Sequence, residues 1–418
     1  MKQYRLHIIS LLLALVATAC VNDDTDFSDL INGSSGGSDT IPEEVITPID
    51  IDLDFSALDE PDDVVPTDEA DETYNDYEEN TEWSYTINIS YDGETATLSG
   101  NTARVRSTVT GGHVVIRSTS ARVNYVVSGT SDNGSLKIYS ENKFKLTLNG
   151  LTLTNPTGAA INNQGSKSLY LVLADGTENT LTDGLTYTDV EGEDQQGTLF
   201  SEGQVLVSGK GALTVNANAR HGLVSDDYFR FRPGCKVYIK SAIGHGIKAN
   251  DGITIDGGVF NIAVAGDGAK GIRCDSTMTI NGGRTTIIAT GGVSITPATA
   301  IAPADTSSCA GIKCDYALTI NGGNVLIKAT GEGGKGVNNT GDIIVTGGAL
   351  QVVTTGIKGL ASPKGIKGDG ALNVSGGYVY SYSANSSPID MSSGITVAEG
   401  YTTWETKPRR VIISFIDD

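Results

Sequence analysis

Four cations recur at equivalent points of short repeated motifs: Lys248, Arg273, Lys313 and Lys367. Each is followed two residues later by Asn250, Asp275, Asp315 or Asp369. Residues two apart on an extended chain share a face, so every cation has an amide or a carboxylate beside it. Such a column has several chemical uses. Stacked cations can hold the carboxylates of a uronic acid polymer. One of Lys248, Lys313 or Lys367 could take a sugar C5 proton as the base of a polysaccharide lyase, if its pKa is lowered toward working pH. A neighbouring carboxylate acts in the opposite direction. The plain alternative is therefore a salt-bridge ladder on a solvated face.

A second set is Tyr378, Tyr380 and Tyr382. Spaced by two, the three rings share one side of a strand, and alignment with Val259, Asn261 and Ala263 places that side outward. An exposed aromatic row offers a stacking platform for the apolar faces of sugar rings and is an apolar patch in need of an explanation. The alternative is that residues 385–418, with Tyr401 and Trp404, fold back as an end cap and cover it. A third stretch, 183–196, concentrates Asp183, Asp189, Glu191, Glu193 and Asp194. It reads as a calcium loop or as a solvated loop. The histidines are His7, His113, His221 and His245, with no metal-type spacing, and neither a Ser-His-Asp arrangement nor a phosphate loop is present.

These residues sit in a repeat. Gly246-Ile247-Lys248, Gly271-Ile272-Arg273, Gly311-Ile312-Lys313, Gly336-Val337-Asn338 and Gly365-Ile366-Lys367 step by 25, 40, 25 and 29 residues. The pairs Gly257-Gly258, Gly282-Gly283, Gly322-Gly323, Gly347-Gly348 and Gly376-Gly377 keep the same steps. A fixed period of this size marks a stacked-repeat architecture. Around the glycines, apolar and polar residues alternate with the period of a strand, as in Ile253-Thr254-Ile255 and Leu318-Thr319-Ile320. Each repeat thus supplies two or three short strands with glycine corners, where positive φ is cheap. The expected fold is all-β, a right-handed parallel β-helix (a solenoid) of about 25 residues per coil. The 40-residue step implies an insertion, Gly292 to Thr306, read as a loop off one face.

The formal charge of −21 is unevenly spread. Residues 21–82 hold 22 acidic and no basic side chains, whereas 83–418 hold 27 basic against 28 acidic. The acidic stretch has few large apolar residues and is expected to be a disordered tether that can be removed without loss to the rest. Nothing is basic enough to argue for nucleic acid. Residues 1–20 carry a basic start, an apolar run from Ile8 to Val16 and small residues before Cys20, the pattern of a secretory signal. Ala17-Thr18-Ala19-Cys20 resembles a bacterial lipobox, which makes Cys20 a lipidation site. Asn22-Asp23-Asp24 resembles the export signal of surface lipoproteins. The expected location is the outer membrane, exposed at the cell surface.

Cys235, Cys274, Cys309 and Cys314 form no CxxC pair. Cys274 and Cys314 occupy the same place in successive coils and point inward if Ile272 and Ile312 do. They could form a disulfide or a reduced ladder of small core side chains.

Several stretches resemble a known family: Leu146-Thr147-Leu148-Asn149-Gly150, the run from Leu171 to Gly184, Leu199-Phe200-Ser201-Glu202-Gly203, and His221 to Asp227, together with the Gly-Ile-Lys coils. From residue 83 to its end the chain resembles carbohydrate-binding domain proteins typified by a clostridial cellulose- and pectin-binding β-helix, similar in fold to family 9 pectate lyases. The resemblance implies polysaccharide binding and calcium at coil corners, with calcium the one candidate cofactor and Asp267, Asp275, Asp315 and Asp369 the candidate ligands. Related coils place an acid just before Gly-Ile; here those positions are His245, Lys270, Ala310, Lys335 and Lys364. Calcium needs six to eight converging oxygens, which a single column of Asp does not guarantee.

The chain therefore reads as a lipid-anchored, non-catalytic polysaccharide-binding protein. It is expected to be monomeric and to meet the membrane only through its anchor. Its candidate contacts are the three tyrosines and the basic column. A calcium-dependent lyase for pectin-like uronans and a structural or adhesive surface protein are the alternatives.

Overall fold

The computed structural model describes residues 61–100, 104–299, 303–406 and 409–415. The expected signal, Cys20 and the tether up to residue 60 lie outside the described residues. Among those described there is no α-helix, only two 3-10 turns at Tyr74–Asp76 and Glu78–Asn80.

Each coil has three strands. In one, Gly252–Ile255 forms the first face, Val259–Val264 the second and Lys270–Cys274 the third. The first two faces join into a 21-stranded sheet, and the third is a 12-stranded sheet. Pairing between coils is parallel and in register: Ile253 meets Met278, Ile262 meets Ile287 and Ile272 meets Ile312. Like residues stack on like. Ile247, Ile272, Ile312, Val337 and Ile366 form one fully buried column. Burying each such side chain contributes about 1.5–3 kcal/mol. The parallel β-helix expected from the repeat is thus the observed fold.

The glycines serve two purposes, not one. Positive φ belongs to the second glycine of each Gly-Gly corner: Gly258, Gly283, Gly323, Gly348 and Gly377. The glycines of the Gly-Ile-Lys motif were expected to share it and do not. They allow close approach instead. A Cβ on Gly271 would sit 2.3 Å from Ile287 Cγ2 and 2.7 Å from the Gly311 carbonyl oxygen.

Both ends close with antiparallel hairpins. Tyr85–Asp92 pairs with Thr95–Gly100, and Val105–Thr110 with Gly112–Ser118. At the other end Arg410–Phe415 pairs antiparallel with both Tyr401–Thr406 and the last second-face strand.

The reading of 21–82 as a removable tether needs correction for residues 61–82. These lie along the outside of the first face. Tyr77 is buried, its ring 4.2 Å from the Arg232 guanidinium and 5.4 Å from that of Arg230. Arg232, with a 2% exposed side chain, pairs with Asp63 and Glu79 at 2.8 Å each. Arg230 joins Asp76 to Asp256, and Lys145 holds Glu78. The Tyr170 hydroxyl donates to the Asn75 carbonyl, and Trp83 packs edge-on against Tyr170. The acids that signalled disorder are the ones that fasten the segment, because their partners lie 60 to 170 residues away along the chain.

Candidate functional site

The third face carries the basic column. Lys248, Arg273, Lys313, Asn338 and Lys367 occupy successive coils in register, and Asp390 ends the row. Asn250, Asp275, Asp315, Thr340 and Asp369 follow two residues on in the same coils. The two rows cross-link. Arg273 pairs with Asp275 at 2.6 Å and with Asp315 at 3.5 Å, and Lys313 donates to Asp315 and Thr340. Lys248 donates to Gln196 at 3.2 Å. The result is a row of partly exposed donors and acceptors, cross-linked where Arg273 and Lys313 meet Asp275, Asp315 and Thr340.

Toward the N-terminus the row continues through Phe200 and Val224, and both are fully buried. The 184–196 segment crosses the same face. Glu193 reaches back to Lys137 at 2.6 Å and to the Tyr139 hydroxyl, while Gln196 reaches forward to Lys248. Asp183 is buried and accepts from the Asn218 backbone and the Tyr187 hydroxyl. The acid-rich stretch is therefore a strap across the third face. Burial, followed by the nearby carboxylates of Asp226 and Asp194, holds Glu202 above its ordinary range. Burial and Asp194 do the same to Asp226.

One edge of this face is raised. The segments that lead from the second face to the third carry Leu185, Ile243, Ile295, Ile357 and Leu360, each more than half exposed. The insertion at 292–306 forms a hairpin, Val293–Thr296 with Asp305–Ser308. Two buried lysines stitch the lip down. Lys270 is 1% exposed, and its ammonium donates to the Gly268 carbonyl, Ser307 Oγ and, at 2.7 Å, the Ser308 carbonyl. Lys335 donates to Ser308 Oγ and to the Gly333 and Ser362 carbonyls at 3.1, 2.6 and 2.7 Å. Burial pushes the pKa of each lysine down to about 8. Every donor is engaged beneath the lip, unlike the outward-facing row that begins at Lys248.

In the same column His221 and His245 stack, with ring centroids 4.4 Å apart and planes 1° from parallel. His221 Nδ1 accepts the His245 backbone N–H at 2.8 Å, and His245 Nδ1 accepts that of Lys270 at 3.0 Å. Both rings are therefore neutral, with the proton on Nε2. Burial pulls the His221 pKa down to about 4 and that of His245 well below its usual value. Between about pH 6.5 and pH 4 the unfolded chain takes up protons that the folded one refuses. Stability should fall as pH drops through that window, by roughly 3 kcal/mol from His221 alone. Melting curves at pH 7 and pH 4.5 check this: the acid-induced drop should shrink in His221→Asn. An equal drop in both proteins would show that the stack is not its source.

The tyrosines stand elsewhere. Tyr378, Tyr380 and Tyr382 alternate with the buried Val379 and Ser381 on the second face, so they do point outward. The expected open platform is only partial, since Tyr378 and Tyr380 are half-buried and Tyr382 is 5% exposed. The end strand pairs with theirs edge to edge, Ile412 opposite Tyr380 and Arg410 opposite Tyr382, instead of folding over the rings. The carboxylates of the metal expectation are dispersed. Asp275 and Asp315 belong to the ladder, and Asp267 accepts the Gly292 N–H at 2.8 Å. Among the described residues no three His, Cys, Asp or Glu side chains group to hold a metal. Cys235, Cys274, Cys309 and Cys314 are all buried, and none of them is joined in a disulfide. Cys274 donates to the Thr277 carbonyl and Cys314 to those of Ser276 and Ala317.

Sequence reasoning missed the stitching role of Lys270 and Lys335 and the histidine stack. The signal was present: His245, Lys270 and Lys335 stand just before the Gly-Ile or Gly-Val of their coils, and His221 just before Gly222-Leu223. It also passed over Arg104 and Arg106, two apart before the Gly111-Gly112 turn, and Arg117, which the hairpin brings opposite Arg106.

A family model described as carbohydrate-binding domain-containing protein matches residues 110–272 and 268–356. A carbohydrate-binding domain-containing protein of Acetivibrio thermocellus is 30% identical over 114 residues, 26% of this chain and 40% of that protein. The chain thus matches well under half the length of this relative. A solved polysaccharide lyase-like protein from C. thermocellum, a gadolinium derivative, aligns over 75% of this chain and 98% of its own at 20% identity, with a TM-score of 0.39.

Proposed function

The chain belongs to the family of carbohydrate-binding domain-containing proteins, and from that premise we propose that it holds a polysaccharide along its third face without cleaving it. The observation that carries this reading is the ladder from Lys248 to Lys367, most of which lies within the matched residues. Each coil contributes one cation or amide and, two residues on, one carboxylate, amide or hydroxyl, at steps of about 4.8 Å. That repeat presents hydrogen-bonding groups to successive sugars of a linear chain. The raised lip gives the chain one wall to lie against. Through Cys20 the protein is lipid-anchored to the outer membrane and displayed at the cell surface, with calcium not required for binding.

The test compares two double variants. A hydrogen bond to a charged group contributes about 1.5–3 kcal/mol. Arg273→Ala with Lys313→Ala should therefore weaken binding of a retained neutral polysaccharide at least about tenfold, with little dependence on salt. Tyr378→Ala with Tyr380→Ala should leave it within about threefold. The reverse pattern moves the site to the second face.

One observation favours the calcium-dependent lyase as a second reading. Beyond burial, Asp194 raises the pKa of both Glu202 and Asp226, and Lys248 is close enough to Asp226 to act against that rise, which puts a lysine near carboxylates. Incubation with polygalacturonate and calcium decides between them. Unsaturated products absorbing in the ultraviolet, lost in Lys248→Ala, establish the lyase, and their absence leaves the binding protein.

A further inference from the structure

At the N-terminal end of the third face, beyond the 184–196 strap, lies a cavity of about 640 Å³. Arg104, Arg106, Arg117, Tyr139, Glu141 and Gln164 line it. Its charge is unusual for a folding element. Arg106 and Arg117 stand directly opposite each other in an antiparallel pair, an arrangement of like charges that destabilises a hairpin. Among the described residues none of the three arginines has a carboxylate partner in an ion pair. The nearby Glu193 is already engaged by Lys137 and Tyr139. Arg104 adopts φ 62, a left-handed conformation that a non-glycine residue rarely holds. Arg117 is pre-positioned, with its guanidinium 3.9 Å from the centroid of the Tyr139 ring, and that ring is fixed by its hydroxyl bond to Glu193. By contrast, Arg122, Arg220, Arg230, Arg232 and Arg273 each meet a carboxylate.

We propose that Arg104, Arg106 and Arg117, with Tyr139, form a subsite for the anionic groups of an acidic glycan, sulfate esters or uronate carboxylates. The guanidinium fork matches either group with two parallel hydrogen bonds. The cavity falls in the range that takes one or two sugar residues, and the Tyr139 ring offers a stacking edge. An occupant would relieve the repulsion that the hairpin carries when empty. The proposal deepens the polysaccharide-binding reading and rests on it, but its site is several coils from the Lys248–Lys367 ladder.

The test is gel retardation of the full chain by dextran sulfate, by polygalacturonate and by the neutral polysaccharides, each at low and high salt. Retardation by dextran sulfate or polygalacturonate that weakens steeply with salt is expected, and the stronger of the two names the group. Arg106→Gln with Arg117→Gln should reduce it at least tenfold, while Arg273→Ala with Lys313→Ala leaves it in place. Melting curves run alongside should show the Gln variant as stable as the parent or more so, because the like-charge pair is gone. Absence of retardation by both acidic polymers, or retardation that survives the double Gln change, overturns the proposal. If a neutral polysaccharide still binds in that case, the ladder reading stands alone. If only the acidic polymers bind, through the arginines, the subsite stands and the ladder reading fails.

Discussion

A chain that begins at residue 83 should melt about 5–10 °C below one that begins at residue 61. Truncation removes the buried Tyr77 ring, worth about 1.5–3 kcal/mol. It also strips Arg232 of Asp63 and Glu79, and Arg230 of Asp76. Removing one side of a buried ion pair costs about 3–5 kcal/mol. Here the loss is smaller, because truncation also opens Arg232 to water. A total near 5 kcal/mol corresponds to the stated shift for a chain of this size. Arg232→Met in the longer chain should reproduce about half of it. Two melting temperatures within 1 °C of each other would show that residues 61–82 rest on the rod without supporting it.

The second large effect is expected at the lip. Lys270→Met with Lys335→Met keeps the aliphatic stems but leaves the Gly268, Ser308, Gly333 and Ser362 carbonyls without their donor. A buried acceptor left unsatisfied costs about 1–3 kcal/mol. Against this stands the desolvation that lowers both lysines to about pKa 8, a cost the methionines do not carry. Four orphaned carbonyls outweigh two relieved ammonium groups, and the net loss should be about 2–4 kcal/mol. Because these contacts tie the 293–308 hairpin and the 355–363 segment, limited proteolysis should cut there first in the variant. Unchanged melting and an unchanged cleavage pattern would mean that the ammonium groups merely fill space.

The coil was legible because its signals are local and repeated. Alternation marked the strands, and the paired landmarks at steps of 25, 40, 25 and 29 residues set the stacking register. That register alone aligned Lys248 with Arg273, Lys313 and Lys367. What was not legible depends on contacts far apart in sequence. Composition made residues 61–82 look like a tether, since nothing local shows that Asp63 and Glu79 meet Arg232. The turn glycines were attributed to backbone conformation, but a sequence does not show that the Ile287 methyl would collide with a Cβ on Gly271. The tyrosine row was placed on the correct side of its strand, yet its loss of exposure follows from packing at the end of the rod. His221 and His245 lie 24 residues apart, and only stacking of coils makes them neighbours.

The central claim is that the third face holds a polysaccharide. Affinity electrophoresis of the full chain through gels cast with a panel of neutral and acidic polysaccharides measures this directly. The account predicts retardation by at least one neutral polymer, persisting at high salt and lost when Arg273 and Lys313 are both replaced by Ala. A chain that migrates unretarded through every gel would contradict it and leave the rod as a structural or adhesive surface protein.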